Sequence, residues 1–205
     1  MSTTPRLIRA ATLGLAFVLL AAAANAQQPP PLERIRGQIV ALDGKNLQIK
    51  ARDGKDVTVM LPDNVMVTAM VKADVGDIKQ NSYISVAGIP QGGKIVAQAI
   101  QIFPGGFRPP EGHGPWDLTA DSTMTNATVE SVVTQASGRE IKVKYKDGEK
   151  TIMIPPGATI VASAPADASM LKLGGNVFIV ARKSPDGMLT APVVAVGKDG
   201  LVPPL

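Results

Sequence analysis

Hydrophobic and polar residues alternate one by one over many short stretches of this chain. In Leu47–Ala51 every second residue is apolar, and Val57–Leu61 repeats this period. Asp53-Gly54 lies between the two stretches, and both residue types tolerate the positive φ of a tight hairpin turn. A period of two places neighbouring side chains on opposite faces of a strand. The pattern therefore predicts β-hairpins that bury one face and expose the other.

The same pattern predicts strands along both halves of the chain. In the first half they cover Arg36–Leu42, Asn46–Ala51, Asp56–Leu61, Val65–Met70, Tyr83–Ile89 and Ile95–Ile102. In the second half they cover Thr128–Val133, Glu140–Tyr145, Thr151–Ile154, Thr159–Ala162, Val177–Arg182 and Leu189–Val196. A short helix is predicted over Asp74–Lys79 and near Asp167–Leu171, with Asp74 and with Asp167 or Ser169 as N-caps.

The two halves also match each other in sequence. The matching pairs are Gly44–Leu47 with Gly138–Ile141, Asp53-Gly54 with Asp147-Gly148, Pro62 with Pro156, Ile78-Lys79 with Leu171-Lys172 and Gly93–Ala97 with Gly187–Ala191. Because the pairs keep their order at a spacing of about 94 residues, we interpret them as an internal duplication.

Three strands, a short helix and two strands are the order of a five-stranded Greek-key barrel of the OB type. Closure of a barrel also removes exposed strand edges. We therefore predict an all-β fold of two tandem small Greek-key (OB-like) barrels, each with one short helix. A six-stranded barrel or a small sandwich is the alternative, since Val65–Met70 and Thr159–Ala162 can count as separate strands.

The glycines of the first half carry a resemblance to a known group of proteins. The pattern G-x-I-x-x-x-x-G-x-x-L-x-I-x-x-x-D-G spans Gly37–Gly54, and the strand pair Tyr83–Gly88 and Gly93–Ala97 follows it. This resembles the OB-like β-barrel repeats of exported bacterial proteins, a domain family of unknown function. The resemblance covers Arg34–Phe103 and, more loosely, Thr125–Val196. It implies an envelope β protein and no catalytic residue.

Met1–Ala26 has the features of a cleavable secretory signal peptide. Arg6 and Arg9 precede the apolar run Ala10–Ala24, and Ala24-Asn25-Ala26 is an A-x-A cleavage site. The run of about 15 apolar residues is shorter than the roughly 20 that a membrane helix needs. We expect cleavage after Ala26, no membrane span afterwards, and a periplasmic or secreted protein. Loss of the two arginines lowers the net charge from +4 to +2.

These boundaries divide the chain into six predicted segments. They are a signal peptide (1–26), a proline-rich start (27–33), barrel 1 (34–103), a Pro/Gly-rich linker (104–123), barrel 2 (124–198) and a tail (199–205).

The composition excludes several kinds of chemistry. The chain has no cysteine, so disulfides, thiol catalysis and iron–sulfur clusters are impossible. Its one histidine cannot form a multi-histidine zinc site. No nucleophile elbow, phosphate loop or dinucleotide motif is present. Aromatic residues make up 3% of the chain, too few for base stacking in a nucleic-acid groove. We predict no cofactor, no nucleic-acid partner and no enzymatic activity.

The linker holds the chemically distinctive side chains. It contains the only histidine and the only tryptophan of the chain. One interpretation is a spacer that packs Trp116 between the barrels. The other is a binding loop in which Phe107, Arg108, His113 and Trp116 form a contact patch. A metal site is a weaker hypothesis, with candidate ligands Glu111, His113, Asp117 and Asp121.

The expected function is therefore binding rather than catalysis. The sequence predicts a non-catalytic periplasmic or secreted interaction module of the bacterial cell envelope, whose partner is an envelope protein. The alternative is a small-ligand or metal-ion binding accessory protein, associated with transport, that uses the linker around His113. The oligomeric state is left open.

Overall fold

A computed structural model describes residues 31–135 and 138–205 of the chain. The predicted signal peptide (1–26) and most of the proline-rich start lie outside the described residues. The described part is all-β, and its helical segments are turns of three residues. None of the helices in this part is long and apolar enough to cross a membrane.

Fourteen strands make up the described part, and the segment Leu32–Leu205 forms one compact unit. The strands are β1 (Leu32–Asp43), β2 (Asn46–Ala51), β3 (Asp56–Met60), β4 (Met66–Lys72), β5 (Tyr83–Gln91), β6 (Lys94–Phe103), β7 (Gly112–Pro115), β8 (Thr123–Gln135), β9 (Gly138–Tyr145), β10 (Gly148–Ile154), β11 (Thr159–Pro165), β12 (Asn176–Lys183), β13 (Leu189–Thr190) and β14 (Val193–Gly197).

A first closed ring of five strands combines both halves of the chain. Its order is β1-β2-β3-β13-β12, and β12 closes the ring by pairing antiparallel with β1. The pair β3–β13 is parallel, with Val59 opposite Leu189. Side chains from all these strands form one buried cluster that includes Ile39, Ile49 and Ile179. The three N-terminal strands are therefore completed by strands from the far end of the chain.

The second ring is built the same way from the remaining strands. Its order is β8-β9-β10-β6-β5, and β5 closes it by pairing antiparallel with β8. The parallel pair is β10–β6, with Ile152 opposite Ile95. Its core includes Ile84, Ile100 and Ile141. Here strands of the second half enclose a core together with two strands of the first half.

This pairing differs from the sequence prediction of one self-contained barrel over 34–103 and another over 124–198. Alternation decides which face of a strand is buried, but it does not decide which strand lies alongside. Each half ends in a similar pair of strands, β5–β6 in the first half and β12 with β13–β14 in the second. The strand β3 can therefore lie beside the last strands of either half. In the structure the two halves exchange these pairs, as happens when identical elements are swapped between protomers.

Two strands join the rings. β4 pairs with β14 and β11, and β11 also pairs with β6, so one sheet runs continuously between the rings. At the β4–β11 contact Met70 lies opposite Ser163, and Met70 is buried with Val161 and Ala195.

Each ring has a β-bulge in one of its long strands, β1 in the first ring and β8 in the second. β1 shifts register between Ile39 and Ala41 where it pairs with β2, and β8 shifts between Val129 and Ser131 where it pairs with β9. Such bulges increase the local twist of a strand, which helps it to curve around a small ring.

The predicted helices are reduced to single turns. Val75–Asp77 and Ala168–Met170 each form a three-residue 3₁₀ turn. The carboxylate of Asp167 accepts a hydrogen bond of 2.8 Å from the backbone N–H of Ser169, as expected for an N-cap. The amphipathic stretches are too short to propagate an α-helix.

The linker is more ordered than its composition suggests. Its prolines and glycines favour a stretch without regular structure, yet β7 (Gly112–Pro115) pairs antiparallel with β8. β8 begins at Thr123, five residues before the predicted Thr128, and this extension offers β7 a strand edge. The linker therefore pairs with the second ring through β7, and Trp116 and Asp117, which follow β7, contact the first ring.

Replacement of Gly37 by alanine tests the tight curvature of the first ring. A Cβ at Gly37 would overlap the carbonyl oxygen of Lys50 on β2, a backbone atom that cannot rotate away. We expect a loss of about 1–3 kcal/mol in unfolding free energy, the range for overpacking. Gly105→Ala is the matched control, since nothing lies within 4 Å of a Cβ there. Equal urea midpoints for the two variants would contradict the described β1–β2 packing.

Candidate binding site around Trp116

The predicted site residues fall into three different surroundings. Trp116 contacts β1 and β12, His113 lies beside Tyr145 of β9, and Arg108 lies over Tyr83 of β5. They therefore do not form a single patch.

Trp116 is the centre of an aromatic and cationic cluster. Its half-buried ring meets Phe178 edge to face, with 6.3 Å between ring centroids. The guanidinium carbon of Arg34 lies 4.0 Å from the ring centroid, and that of Arg36 lies 5.8 Å away. Guanidinium groups this close to an indole face are attracted by the ring quadrupole. We call Trp116, Phe178, Arg34, Arg36 and Arg52 the Trp116 site.

Arg36 connects the linker to the end of the sequence. Its Nη atoms donate hydrogen bonds of 2.8 and 3.1 Å to the two carboxylate oxygens of Asp117. Its Nε donates to the carbonyl oxygen of Leu205 at 2.6 Å. The Arg36 side chain is 11% exposed and that of Asp117 is 45% exposed. Arg36 is thus fixed by three charge-assisted hydrogen bonds, which are stronger than neutral ones.

Asp117 is held as a carboxylate by this arrangement. Its burial disfavours the charged form, but the hydrogen bonds and charge of Arg36, together with the charge of Arg34, outweigh that effect. The pKa of Asp117 is therefore below the usual aspartate value.

The segment Leu201–Leu205 runs along the same site; we call it the tail segment. Arg52 donates a hydrogen bond of 2.8 Å from Nη2 to the carbonyl oxygen of Pro203. Leu205 is 2% exposed and packs in a small cluster with Ala87, Ala99 and Met124, with Trp116 and Leu118 against its edge. The tail segment is therefore packed into the molecule.

The strand pattern explains why the arginines share one face. On β1 and β12 the odd-numbered Ile35 and Ile179 point into the core, so even-numbered side chains point outward. The outward cations of this region are Arg34, Arg36, Lys50, Arg52 and Arg182. Within residues 31–135 and 138–205, ion pairs reach only two of them, Arg36–Asp117 and Lys50–Asp56. The exposed cations of this face that make no ion pair among the described residues are therefore Arg34, Arg52 and Arg182.

A pocket of about 310 Å³ lies at the edge of this face. It is lined by Gly37, Gln38, Lys50, Ala51, Arg52, Asn176, Val177, Val202 and Pro203. The tail segment forms one of its walls, so the shape of the pocket depends on where that segment lies.

Arg108 lies against the other ring. The guanidinium carbon of Arg108 is 5.2 Å from the Tyr83 ring centroid, and the Tyr83 hydroxyl donates to the carbonyl oxygen of Pro109 at 2.6 Å. Phe107 is 39% exposed. These contacts anchor the start of the linker on β5.

His113 is engaged in local contacts. Its Nδ1 lies 2.9 Å from the Thr125 hydroxyl, and its ring stacks on Tyr145 with 6.3 Å between centroids. Burial, and to a smaller extent the charge of Lys150, lowers the pKa of His113 below 6.5.

The candidate metal ligands are not brought together. Residues 31–135 and 138–205 contain no group of three or more histidine, aspartate or glutamate side chains that could hold a metal ion. Asp117 is paired with Arg36, and His113 faces Thr125. The spacing of Glu111, His113, Asp117 and Asp121 therefore does not produce a cluster. The ion-binding alternative stays a prediction, which calorimetric titration of the unmodified protein with divalent cations tests.

The lowered pKa of His113 predicts a pH dependence of stability. The unfolded chain, with a histidine pKa of about 6.5, takes up a proton before the folded chain does. His113 therefore stabilises the fold fully above about pH 6.5, and this contribution is lost as pH falls toward the lower folded-state pKa. Urea midpoints at pH 8 and 5.5 should differ less in His113→Gln than in the unmodified protein. An unchanged difference would show that another group is responsible.

The sequence did not predict Arg34, Arg36, Arg52 or the tail segment as site residues. One usable indication was the spacing of Arg34 and Arg36, which places two cations on the same face of one strand. Their proximity to Trp116 depends on the exchange of strands between the halves, which no local pattern encodes.

Comparison of the chain with protein-family models, with curated proteins and with solved structures returned no match.

Proposed function

We propose that this chain is an exported, non-catalytic binding protein of the bacterial cell envelope, and that it contacts a partner protein through the Trp116 site. The observation that carries the proposal is the position of Trp116, half-buried between Phe178 and Arg34 on a basic outer face.

The chemistry of this site suits recognition. Tryptophan and arginine are the residue types most enriched where protein interfaces concentrate their binding energy. The indole offers a large rigid surface, and Arg34 is exposed beside it, so an incoming group can contact both. Arg52 and Arg182 extend the positive charge of the face. The partner surface should therefore carry carboxylates and an apolar group that reaches the indole.

The arrangement of the polar groups supports binding over catalysis. Asp117 is engaged by two hydrogen bonds from Arg36, and the pKa of Asp117 is lowered, which makes it a poor proton donor near neutral pH. The partners of His113 are Thr125 and the Tyr145 ring. Thr125 is fully buried, so its hydroxyl is not accessible to a substrate in the way that acyl transfer requires.

We also propose that the fold is a duplicated pair of OB-like units, and that it belongs to the exported β-barrel family of unknown function that the sequence resembles. The equal strand number of the two rings, their parallel β3–β13 and β10–β6 pairs and their corresponding bulges support a duplication. The signal-peptide pattern of residues 1–26 supports export. Five-stranded OB-type barrels serve many binding roles, so the family assignment by itself selects no ligand.

Affinity capture from envelope extracts with matched charge reversals tests the proposal. The bait variants are Arg34→Glu at the Trp116 site and Lys144→Glu, which is exposed on β9 of the other ring. We expect a specific protein to be retained by the unmodified bait and by Lys144→Glu, and to be lost with Arg34→Glu. Failure to retain any specific protein, or equal retention by both variants, would contradict the proposal.

A further inference from the structure

The tail segment occupies the Trp116 site in the manner of a bound peptide. Two arginines of the first ring, Arg52 and Arg36, donate to the carbonyl oxygens of Pro203 and Leu205. Leu201 packs against Met70, Val161 and Ala195, while Leu205 fills a separate apolar cluster beside Trp116. Apolar side chains therefore anchor both ends, and the backbone between them is held by side-chain donors.

The chemistry of the tail segment is that of an extended proline-rich ligand. Its sequence is Leu-Val-Pro-Pro-Leu, and Leu201 adopts φ −55° and ψ 131°, close to polyproline II. A chain in this conformation makes no internal hydrogen bonds, so its carbonyl groups are free to accept from a receptor. Grooves that combine aromatic rings with polar donors recognise such segments, because the ligand is already extended and loses little entropy.

The fit of the tail segment leaves one donor unsatisfied. The Nε1 atom of Trp116 is buried and has no acceptor among the described residues. A buried donor without a partner costs about 1–3 kcal/mol. A segment that supplied an acceptor at this point would bind the same groove better than the tail segment does.

We propose that the Trp116 site is a groove for an extended proline-rich segment of a partner protein, and that the chain's own Leu201–Leu205 occupies it and competes with that partner. This inference rests on the proposed function and gives the partner a chemistry. The partner segment presents proline between two large aliphatic residues, and its backbone carbonyls take the bonds now made to Pro203 and Leu205. Displacement of the tail segment opens the wall of the 310 Å³ pocket that Val202 and Pro203 form.

A fluorescence titration tests the competition, because Trp116 is the only tryptophan. The probe is a synthetic peptide with the sequence of residues 198–205, and the control peptide has glycine in place of both prolines. A released-tail variant, Pro203→Ser with Leu205→Ser, should show red-shifted emission that the probe peptide reverses saturably. The unaltered chain should bind the peptide at least about tenfold more weakly, because its groove is occupied. The inference would be overturned if the folded variant showed no change in emission on adding the probe peptide, or if both proteins bound the peptide with equal affinity.

Hydrogen exchange in the unaltered chain keeps the test decisive if the variant does not fold. Excess probe peptide should accelerate amide exchange in residues 198–205, whereas the glycine control should not; equal exchange would overturn the inference. Concentration-dependent dimerisation without peptide binding would instead assign the groove to a second copy, and would also overturn it. If the peptide does not bind but affinity capture is still lost with Arg34→Glu, the proline-rich groove is refuted and the proposed envelope partner stands. Peptide binding without any captured protein would refute the proposed envelope partner alone.

Discussion

Two separately produced halves of this protein, residues 27–105 and 106–205, should assemble into one folded complex when they are mixed or co-expressed. The cut falls between Gly105 and Gly106, both exposed in the linker. The first fragment then carries β1–β3 without β12 and β13, and β5–β6 without β8–β10. Each ring therefore lacks strands until the fragments meet, so folding and association should occur together.

Copurification through a tag on one fragment, followed by sizing and circular dichroism, measures this assembly. We expect a one-to-one complex with the β spectrum of the intact chain and a single unfolding transition that depends on concentration. Alone, each fragment should be unfolded or should pair with a second copy of itself, since a copy can offer the same strands. A folded, monomeric 27–105 fragment would contradict the described pairing.

Substitution of Arg36 by alanine should destabilise the packing of both the linker and the tail segment. It removes both hydrogen bonds to Asp117 and the bond to the Leu205 carbonyl, and it withdraws a guanidinium 5.0 Å from the Phe178 ring. Removing one partner of a fully buried ion pair costs about 3–5 kcal/mol, but Asp117 is 45% exposed and water can hydrate it, so we expect a loss of about 1–3 kcal/mol. Trp116 emission should also shift to the red, because the tail segment loses one of its two arginine contacts.

Arg34→Ala is the matched control for this substitution. Arg34 also stacks on Trp116, but it is exposed and makes no ion pair within the described part of the chain. Its loss should change the unfolding free energy by less than about 1 kcal/mol. Urea denaturation of both variants decides the point: comparable losses would show that Arg36 does not hold the linker and the tail segment together.

Local structure could be predicted well because the alternation is strong. The predicted strand Asn46–Ala51 coincides with β2, and Tyr83–Ile89 with most of β5. Leu47 and Ile49 are fully buried, as their period of two requires. β7 could not be predicted because its pairing arises from the extended start of β8 rather than from its own glycine- and proline-rich sequence.

The partner of each strand could not be predicted, for a physical reason. β6 and the strands β13–β14 both end a half and both offer an apolar face to a neighbouring three-stranded unit. The choice between them depends on the free energy of the whole arrangement, including the β4–β11 contact that joins the rings. The Trp116 site could not be predicted for the same reason, because Phe178 lies beside β1 only when the two halves exchange strands.

The burial of Leu205 in the tail segment could not be predicted either. Leu205 stands in a proline-containing end segment whose sequence predicts no regular structure, yet it is buried against Ala87 and Met124. The sequence did single out Trp116, because a lone tryptophan in a linker calls for either a packing or a binding role. The structure gives it contacts with Arg34 and Phe178 that serve both.

Disulfide trapping in this cysteine-free chain tests the exchange of strands most directly. Gln38 of β1 lies opposite Asn176 of β12, and directly opposite antiparallel residues have Cα atoms about 4.5–5.5 Å apart, within disulfide range. In self-contained barrels Gln38 would instead face the start of β5, near Tyr83. We expect the pair Gln38→Cys and Asn176→Cys to form an intramolecular disulfide in the folded monomer, and the pair Gln38→Cys and Tyr83→Cys to form none. A disulfide between positions 38 and 83, with none between 38 and 176, would contradict the exchange of strands.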